Sequence, residues 1–489
     1  MYLDHNSDAK FKSIKNRKFI KKEIEKYDYV FSNVNGYSLD KEQRTAIVTD
    51  EINTLIVAGA GSGKSLTMIG KIRYLIEKGI KEEEILCITF TREAAKSLEN
   101  KLNNIKVYTF HSLSYTILKR YNYNIVADDY LEFLIDEYFN GIIYNNADMI
   151  KRVKKVFGKI GTPYKELLKT NEYINLKRLI ITFISLFKTN DYSIGYFLKM
   201  RNKDIISIII DIYFLYSQEL ESTNTIDYND MIIKATYEQK KMNYKYIIVD
   251  EFQDTSYIRY KLLKSIINET KAKLVCVGDD YQSIYRFNGC DIDMFINFKK
   301  YFGYTKILKI NNTYRNSQEL INVAGSFIMK NKNQIYKKLR SNKHIDKPIV
   351  ISYTTIYKLL DILTLKYKSI LVLGRNNIDF NIFNEREFVY NECKIRCMTI
   401  HSSKGLEDEC VIILNAVDGP LGIPSKIKNS SVLNYVSMTS IYPYDEERRL
   451  FYVGLTRTKN EVYILTRKGN ESMFIKELKK DYCKYIRQI

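Results

Sequence analysis

Short runs of branched aliphatic residues recur along the chain, and each ends in a glycine or a polar residue. A first set lies at Leu55–Ala58, Ile85–Phe90, Tyr246–Val249 and Leu274–Val277. A second set of the same character lies at Ile370–Leu373, Met398–Ile400, Val411–Leu414 and Val462–Thr466. Apolar runs without alternation are typical of strands in parallel sheets that helices cover on both faces. The pattern therefore predicts an α/β fold with two sheets.

The stretch between Tyr115 and Thr225 has a different texture, with helical spacing, many Tyr and Lys residues and few glycines. It predicts a helical insert within the first sheet domain. The predicted organisation is a basic extension at residues 1–38, a first sheet domain at 39–115 and 225–308, the helical insert at 116–224, and a second sheet domain at 309–489.

The composition excludes a small disulfide scaffold and an acidic disordered chain, since the 489 residues are 45% hydrophobic and carry a formal net charge of +20. Such an excess favours a polyanionic partner, either nucleic acid or an anionic membrane surface. Lys-rich codon usage is the alternative explanation. The excess is uneven, because residues 309–489 carry 30 basic against 18 acidic residues and include a basic run of six from Lys330 to Lys343.

The seven cysteines form no CxxC pair and accompany no histidine cluster, which argues against a disulfide framework and against zinc. Cys87 and Cys276 lie in apolar runs and are expected to be core residues. The N-terminus lacks the apolar stretch of a signal peptide. The longest apolar run, Ile205–Tyr216, is interrupted by polar residues and is too short to span a membrane. We expect a cytoplasmic protein with no membrane attachment.

The strongest chemical motif follows the first predicted strand. It consists of Ala58, Gly59, Ala60, Gly61, Ser62, Gly63, Lys64 and Ser65, and a helix-compatible run follows it. Glycines here let backbone N–H groups point at phosphates, Lys64 would reach the β- and γ-phosphates, and Ser65 would offer a hydroxyl to Mg²⁺. A glycine-rich turn without a ligand is the alternative. The strand, loop and helix context favours a phosphate-binding P-loop.

A P-loop that hydrolyses its nucleotide also needs acidic groups on a neighbouring strand. The segment YKYIIVDEFQDTS supplies Asp250 and Glu251 directly after four apolar residues. Asp250 would hold Mg²⁺, and Glu251 would orient and deprotonate the attacking water. A solvated acidic loop is the alternative, which the pairing with a P-loop makes less attractive.

The end of that segment, VDEFQDTS, resembles the UvrD/Rep/PcrA group of superfamily 1 DNA helicases, and so do VGDDYQSIYRFNG and EERRLFYVGLTRTKNEVYIL. The lead-in GYSLDKEQRTAIVTDE, and Phe287 followed by Asn288, resemble the helicase IV branch more closely. The similarity runs in the family's motif order from about Leu39 to about Leu465. It implies two RecA-like P-loop domains with ATP and Mg²⁺ bound between them.

The resemblance also implies roles for residues around the nucleotide. Gln43 would read the adenine edge, Tyr314 would stack on adenine, Glu407 would contact the ribose, and Gly405 would lie close to the phosphates. Gln282 would sense the γ-phosphate, while Arg315 and Arg457 would contact it from the second domain. Lys64, Glu251, Gln282, Arg315 and Arg457 are therefore the candidate catalytic residues.

A second set matches family positions that contact single-stranded DNA: Phe90, His111, Tyr285, Phe287, Thr399 and His401. Aromatic faces stack on bases without reading sequence, while basic residues follow the phosphates. We expect the groove-facing part of the positive excess in residues 309–489 to make activation by DNA depend steeply on salt. For Phe90, a place in the core is the alternative, because an aromatic residue after a strand is usually buried.

UvrD and Rep carry a large domain between the motifs of Arg315 and His401, whereas only 86 positions separate these residues here. The chain also ends about 30 residues after Arg457, which leaves no room for a RecB-type nuclease. Two functions stay open. One is a 3′ to 5′ translocase and helicase on single-stranded DNA or a 3′-tailed duplex. The other is a nucleic-acid-stimulated ATPase that regulates a complex, with a nuclease subunit as a candidate partner. An RNA helicase is a weaker third option.

Overall fold

The computed structural model describes residues 5–102, 105–199, 204–238, 242–427, 430–437 and 442–489, with side chains from residue 16 onward. Within these residues the strands are β1 (Asn53–Ala58), β2 (Ile85–Thr89), β3 (Val107–Thr109), β4 (Asn124–Ile125), β5 (Thr225–Ile226), β6 (Tyr246–Val249), β7 (Lys273–Gly278), β8 (Lys306–Ile310), β9 (Ile349–Ser352), β10 (Ser369–Gly374), β11 (Glu387–Tyr390), β12 (Cys393–Thr399), β13 (Cys410–Ile413), β14 (Val462–Leu465) and β15 (Ile486–Gln488).

The α-helices of the first half are α1 (His5–Lys26), α2 (Asp28–Ser32), α3 (Lys41–Val48), α4 (Lys64–Glu77), α5 (Arg92–Leu102), α6 (Phe110–Leu118), α7 (Tyr130–Glu137), α8 (Ala147–Phe157), α9 (Tyr164–Leu167), α10 (Asn171–Thr189), α11 (Ile194–Leu198), α12 (Asp204–Ser222) and α13 (Tyr228–Tyr237). They continue with α14 (Tyr257–Thr270), α15 (Asp293–Ile296), α16 (Phe298–Phe302), α17 (Gln318–Ile328), α18 (Ile356–Leu363), α19 (Asp445–Leu455) and α20 (Met473–Asp481). No helix of the described part of the chain is long and apolar enough to cross a membrane.

The first sheet has six parallel strands in the order β3-β2-β6-β7-β1-β8. Alternate residues of β1 enter two separate apolar cores, Ile56 and Ala58 in one and Leu55 and Val57 in the other. Helices therefore cover both faces, and the α/β class predicted from continuous apolar runs is confirmed. The predicted boundary after residue 308 lies inside β8, whose Ile310 pairs with Ala58.

The second sheet has seven strands in the order β11-β12-β10-β13-β14-β9-β15, all parallel except β11. The strand predicted at Met398–Ile400 is instead β12, which begins at Cys393. Its first half alternates apolar residues with Lys394 and Arg396, so no continuous apolar run marks it. A two-residue turn joins β11 to β12, with Asn391 and Glu392 both left-handed at φ 46° and 63°.

Helices α7 to α12 form a separate helical unit between β4 and β5, with its own apolar core. One segment of the second sheet unit also enters that core. We call residues 430–437 the strap. Its Val436 is fully buried among helical-unit residues, Asn190 donates a hydrogen bond to the Val436 carbonyl at 2.9 Å, and Tyr196 donates one to the Tyr435 carbonyl at 3.0 Å.

Residues 331–343, which we call the linking segment, leave α17 and run back over the first sheet unit. Asn312 and Arg340 form a β-bridge, and Leu339 lies so close to the P-loop that a Cβ added at Gly59 would be 2.5 Å from its Cδ2. Four residues of the basic run are paired within the chain: Lys330 with Glu477, Lys337 with Asp279, Arg340 with Glu42, and Lys343 with the Lys459 carbonyl. Among these four, only the Lys337 side chain is fully buried.

Candidate nucleotide cleft and nucleic-acid groove

The P-loop adopts the form that its glycines allow. β1 ends at Ala58 and α4 begins at Lys64, so that the loop points the N-terminus of α4 into the cleft. Gly61 and Gly63 have φ values of 69° and 76°, a left-handed backbone that favours glycine. A helix N-terminus preceded by such a loop is a binding site for phosphate. The sequence motif is thus folded as a nucleotide loop requires.

The acidic pair follows β6, the strand adjacent to β7 in the centre of the sheet. Glu251 has a left-handed backbone, and its Oε1 lies 3.5 Å from Nζ of Lys64. Burial would raise the pKa of Glu251, but the ammonium groups of Lys64 and Lys404 lower it well below its usual range. Burial and the adjacent Glu251 carboxylate raise the pKa of Asp250. Glu251 is thus ionised beside the P-loop.

The second sheet unit closes on the P-loop through backbone and side-chain contacts. The Thr313 hydroxyl donates to the Ala60 carbonyl at 2.7 Å, and the Tyr314 N–H donates to the Gly61 carbonyl at 2.9 Å. A Cβ added at Gly61 would lie 2.6 Å from Cβ of Arg315 and 2.7 Å from the Thr313 hydroxyl. Glycine is therefore required at position 61 for this closed arrangement.

A cavity of about 460 Å³ lies between the two units. Of the residues predicted to bind nucleotide, it is lined by Gln43, Gly59, Gly61, Ser62, Gly63, Lys64, Ser65, Glu251, Gln282, Tyr314, Arg315, Gly405, Glu407 and Arg457. Ala58 and Ala60 of the same motif are buried and do not line this cavity. The volume and the polar lining fit a nucleoside triphosphate. Asp250 and Ser65 line an adjoining cavity together, and their oxygens are ligands of the kind that Mg²⁺ prefers.

The adenine and ribose candidates are held by other protein groups. Gln43 uses both ends of its amide, since Oε1 accepts from the Asp40 N–H and Nε2 donates to the Ser62 carbonyl. The Tyr314 ring is 64% exposed at the cleft edge, with its hydroxyl bonded to Asp40. Glu407 accepts from Nε of Arg315 at 2.6 Å. The structure brings these residues together, while their individual roles stay predictions.

Gln282 connects the two units inside the cleft. Arg457, only 1% exposed, donates from Nη2 to Oε1 of Gln282 at 3.0 Å. Nε2 of Gln282 donates to Oδ2 of Asp279 at 2.7 Å. Burial and the nearby Arg315 lower the pKa of Arg457. A second-unit arginine is thus fixed by a first-unit glutamine, while the roles of γ-phosphate sensor and arginine finger stay predictions.

Three polar residues of this site were not singled out from the sequence. Buried Gln253 donates to the Glu251 carboxylate and accepts from the Asp279 N–H. Lys404 pairs with Asp254 and donates to the Gln282 carbonyl at 2.7 Å. Gln253 stands inside the quoted segment VDEFQDTS, and Lys404 lies between the predicted residues His401 and Gly405; these positions were the signal available. Asn316, which donates to the Thr456 and Thr458 carbonyls, directly follows the predicted Tyr314 and Arg315, so that its position offered the same kind of signal.

Three of the predicted DNA contacts form one aromatic cluster across the two units. Phe287 and His401 lie edge to face with ring centres 5.5 Å apart, and Tyr285 lies 6.0 Å from Phe287. The Tyr285 hydroxyl donates to the His401 carbonyl at 3.1 Å. Phe287 is 53% exposed, so that its face is open to a stacking partner. We call these three residues the aromatic groove.

The remaining predicted DNA contacts lie apart from this cluster. Phe90 is half-buried against the core and carries the Arg259 guanidinium over its ring at 5.2 Å. His111 contacts Tyr228, and the Thr399 hydroxyl accepts from the Ser402 N–H. Phe90 and Tyr285 nevertheless line one cavity of about 620 Å³, which also contains Ser65 and Glu251. That cavity joins the nucleotide cleft to the groove.

Comparison with known proteins agrees with this geometry. The UvrD/REP helicase N-terminal domain matches residues 39–303, more than half of the chain, and the UvrD-like helicase C-terminal domain matches residues 376–469. DNA helicase IV of Escherichia coli K12 is 27% identical over 95% of this chain and 73% of its own length. A probable DNA helicase of Mycoplasma pneumoniae is 24% identical over 88% of this chain and 83% of its own length.

The ATP-dependent DNA helicase PcrA of Bacillus subtilis is 28% identical over 64% of this chain, which spans 42% of that protein. The similarity therefore covers both sheet units for some relatives and a smaller part of others. The chain belongs to the UvrD/REP helicase family, whose members are ATP-dependent enzymes that act on DNA.

Proposed function

We propose that this chain hydrolyses ATP with Mg²⁺ between its two sheet units and uses that cycle to move 3′ to 5′ along single-stranded DNA. One observation carries the coupling of hydrolysis to movement, while the 3′ to 5′ direction is what the resemblance to the UvrD/Rep/PcrA group implies. The loop after β7 holds Gln282, which bonds Arg457, and three residues later Tyr285, which bonds the His401 carbonyl. A change at the nucleotide cleft therefore reaches the aromatic groove through a single short loop.

The residues of the chain divide the chemical work as follows. The P-loop N–H groups and Lys64 bind the phosphates, and Ser65 and Asp250 would hold Mg²⁺. The ion would neutralise charge on the phosphate oxygens when bound. Glu251, ionised at neutral pH, accepts a proton from the attacking water. Arg315 and Arg457 stabilise the negative charge of the transferring phosphoryl group from the second unit.

Movement on DNA follows from the dependence of cleft closure on ATP. Both arginines belong to the second unit, so that the closed state is favoured only when negative charge lies between the units. The aromatic groove also spans the two units, with Tyr285 and Phe287 on one and His401 on the other. Closure and opening would therefore change the spacing of base-stacking residues in each cycle.

The test uses the purified chain and biotinylated oligonucleotides that carry streptavidin at one end. A 3′ to 5′ translocase displaces streptavidin from the 5′ end faster than from the 3′ end, and it does so only with ATP. Equal displacement at both ends, or displacement only from the 3′ end, would refute the proposed direction. Absence of ATPase stimulation by oligo-dT and by single-stranded RNA alike would refute a nucleic-acid motor.

One observation favours a second candidate function. In it the chain is a DNA-stimulated ATPase that unwinds little and regulates a partner such as a nuclease subunit. The 85 residues between Arg315 and His401 are occupied by α17, the linking segment, β9 to β12 and α18, and β11 turns into β12 in two residues. Single-turnover unwinding of a 3′-tailed duplex separates the candidates. Strong ATPase stimulation without strand separation would favour the regulatory function.

A further inference from the structure

Lys337 stands in the linking segment, which belongs to neither the P-loop nor the motifs around the nucleotide. Although it lies in a strongly basic run, its side chain is 0% exposed. Nζ lies 2.6 Å from Oδ1 of Asp279, pairs with the Asp280 carboxylate as well, and stands 3.4 Å from the centre of the Tyr281 ring. A lysine is buried in this way only when its charge is compensated, and the two carboxylates compensate it here.

Asp279 is the residue through which Lys337 reaches the cleft. Its Oδ2 accepts from Nε2 of Gln282 at 2.7 Å, and Gln282 accepts in turn from Arg457. Its backbone N–H donates to Oε1 of Gln253, whose Nε2 donates to the Glu251 carboxylate. One buried aspartate thus sets the position of two groups, the arginine contact on one side and the proposed general base on the other.

The ammonium of Lys337 is one of two groups that orient that carboxylate. It bonds Oδ1 of Asp279, to which the Tyr281 N–H also donates at 3.1 Å, and this leaves Oδ2 directed at Gln282. The neighbouring Asp280 carboxylate bonds Lys337 and the Ile335 N–H. The side-chain amides of Gln282 and Gln253 bond Asp279 and not Asp280. Without the cation, two adjacent buried carboxylates would repel each other and compete for a proton. Burial already raises the pKa of Asp280.

We infer that Lys337 is a positioning residue for ATP hydrolysis, which holds the Asp279 carboxylate so that Gln282 engages Arg457. This inference rests on the proposed roles of Gln282 and Arg457.

The test compares Lys337→Met, which keeps the length of the side chain and removes its charge, with Lys338→Met. Lys338 is the exposed neighbour in the same segment, so that this variant controls for loss of one positive charge. For Lys337→Met we expect kcat of DNA-stimulated ATP hydrolysis to fall roughly tenfold to a hundredfold. KM for ATP and the concentration of oligo-dT that gives half-maximal binding should change less than about threefold, because no group that touches either ligand is removed.

A double-mutant cycle with Gln282→Ala separates positioning from general destabilisation. If Lys337 acts through Gln282, the two substitutions together should cost little more than the larger single loss. Multiplicative losses in kcat, or a Lys337→Met enzyme with the kcat of Lys338→Met, would overturn the inference. If wild-type protein shows no DNA-stimulated ATPase, the proposed function fails first, and the two failures are distinguishable.

Lys337→Met leaves the buried carboxylates of Asp279 and Asp280 without their cation, and this variant could not be assayed if it did not fold. The variant Lys337→Met/Asp280→Asn then decides, since it removes one charge of each sign and keeps Asp279. Circular dichroism establishes folding before kinetics are measured. We expect the double variant to unfold near the wild-type temperature and still to show the reduced kcat. Wild-type kcat in this folded variant would overturn the inference.

Discussion

The nucleotide cleft and the aromatic groove share the loop after β7 but are held together by opposite kinds of interaction. The cleft is a network of buried charges and amides, in which Lys64, Glu251, Gln282 and Arg457 each have a fixed partner. The groove is a cluster of rings around Phe287, whose exposed face has no hydrogen bond to satisfy. Directional contacts tolerate little displacement, whereas stacking tolerates more.

This difference predicts that substitutions in the cleft abolish catalysis while substitutions in the groove weaken DNA binding by degrees.

The largest effect is expected for Glu251→Gln, which removes the proton acceptor and keeps the shape of the side chain. We expect kcat for ATP hydrolysis to fall by roughly 10² to 10⁴, the range for loss of a general base, with ATP still bound. Steady-state ATPase assays with nucleotide-binding titrations measure both quantities. Glu83→Gln, at an exposed glutamate before β2, is the control. An unchanged rate would contradict the role assigned to Glu251.

Gly61→Ala should come next, because the new methyl group would meet Arg315 and Thr313 at the closed interface and the left-handed backbone would be strained. We expect ATP affinity to weaken by about tenfold or more, since roughly 1–3 kcal/mol of strain is added to the closed state. Gly325→Ala, in α17 with open space around its Cβ, is the matched control. Equal nucleotide affinity for the two variants would contradict the closed geometry.

A smaller effect is expected for Phe287→Ala in the groove. Loss of one base-stacking face costs about 1–3 kcal/mol, so that Kd for oligo-dT should rise by roughly five- to a hundredfold. Fluorescence anisotropy measures this, with Phe133→Ala, an exposed ring of the helical unit, as control. Phe287→Trp should restore binding. If Phe133→Ala weakens binding as much as Phe287→Ala, the groove is not the DNA site.

The smallest effect is expected for pH. Burial, with Arg375 and Lys404 nearby, lowers the pKa of His401 to about 4, and burial with Arg259 and Arg92 nearby does the same for the pKa of His111. Both rings are then neutral between about pH 6 and about pH 8, and DNA affinity should change less than about twofold over that range at constant salt. A rise in affinity below about pH 7 that His401→Asn removes would show that this ring is charged in the groove.

The same shift has a consequence for stability. In the unfolded chain both histidines have the ordinary pKa of about 6.5. In the folded chain the pKa of each is about 4. The unfolded state therefore takes up more protons in this window, and the free energy of unfolding should fall as pH drops from about 6.5 to about 4. Denaturant titrations of wild type and His401→Asn across this range measure the contribution.

The sequence predicted the parts of the fold that local pattern determines. β1 and β6 are continuous apolar runs and were found within two residues of their true ends. β8 was missed because lysines at 306 and 309 break its apolar pattern at a sheet edge. β15 was missed because only Ile486 of its three residues is buried. Burial at an edge strand is decided by the neighbouring strand, which no local window contains.

The site shows the same limit. The motif order predicted Gln282 and Arg457 as site residues, and the two are hydrogen-bonded to each other in the cleft. Lys337 could not be found, since in sequence it is one lysine in a basic run and its burial depends on carboxylates 57 and 58 residues away. Lys330 and Arg340 of the same run are also paired, with carboxylates that lie far away along the chain. A count of charges within a segment does not contain these partners.

The strap gives the three units of the molecule a third connection, in addition to the two that the chain makes in passing from unit to unit. The first sheet unit is joined to the helical unit by the chain itself, to the second sheet unit by the segment after β8, and the strap joins the second sheet unit back to the helical unit through Val436. Because Val436 is buried in the helical core, we expect the strap to stay with the helices when the nucleotide cleft opens.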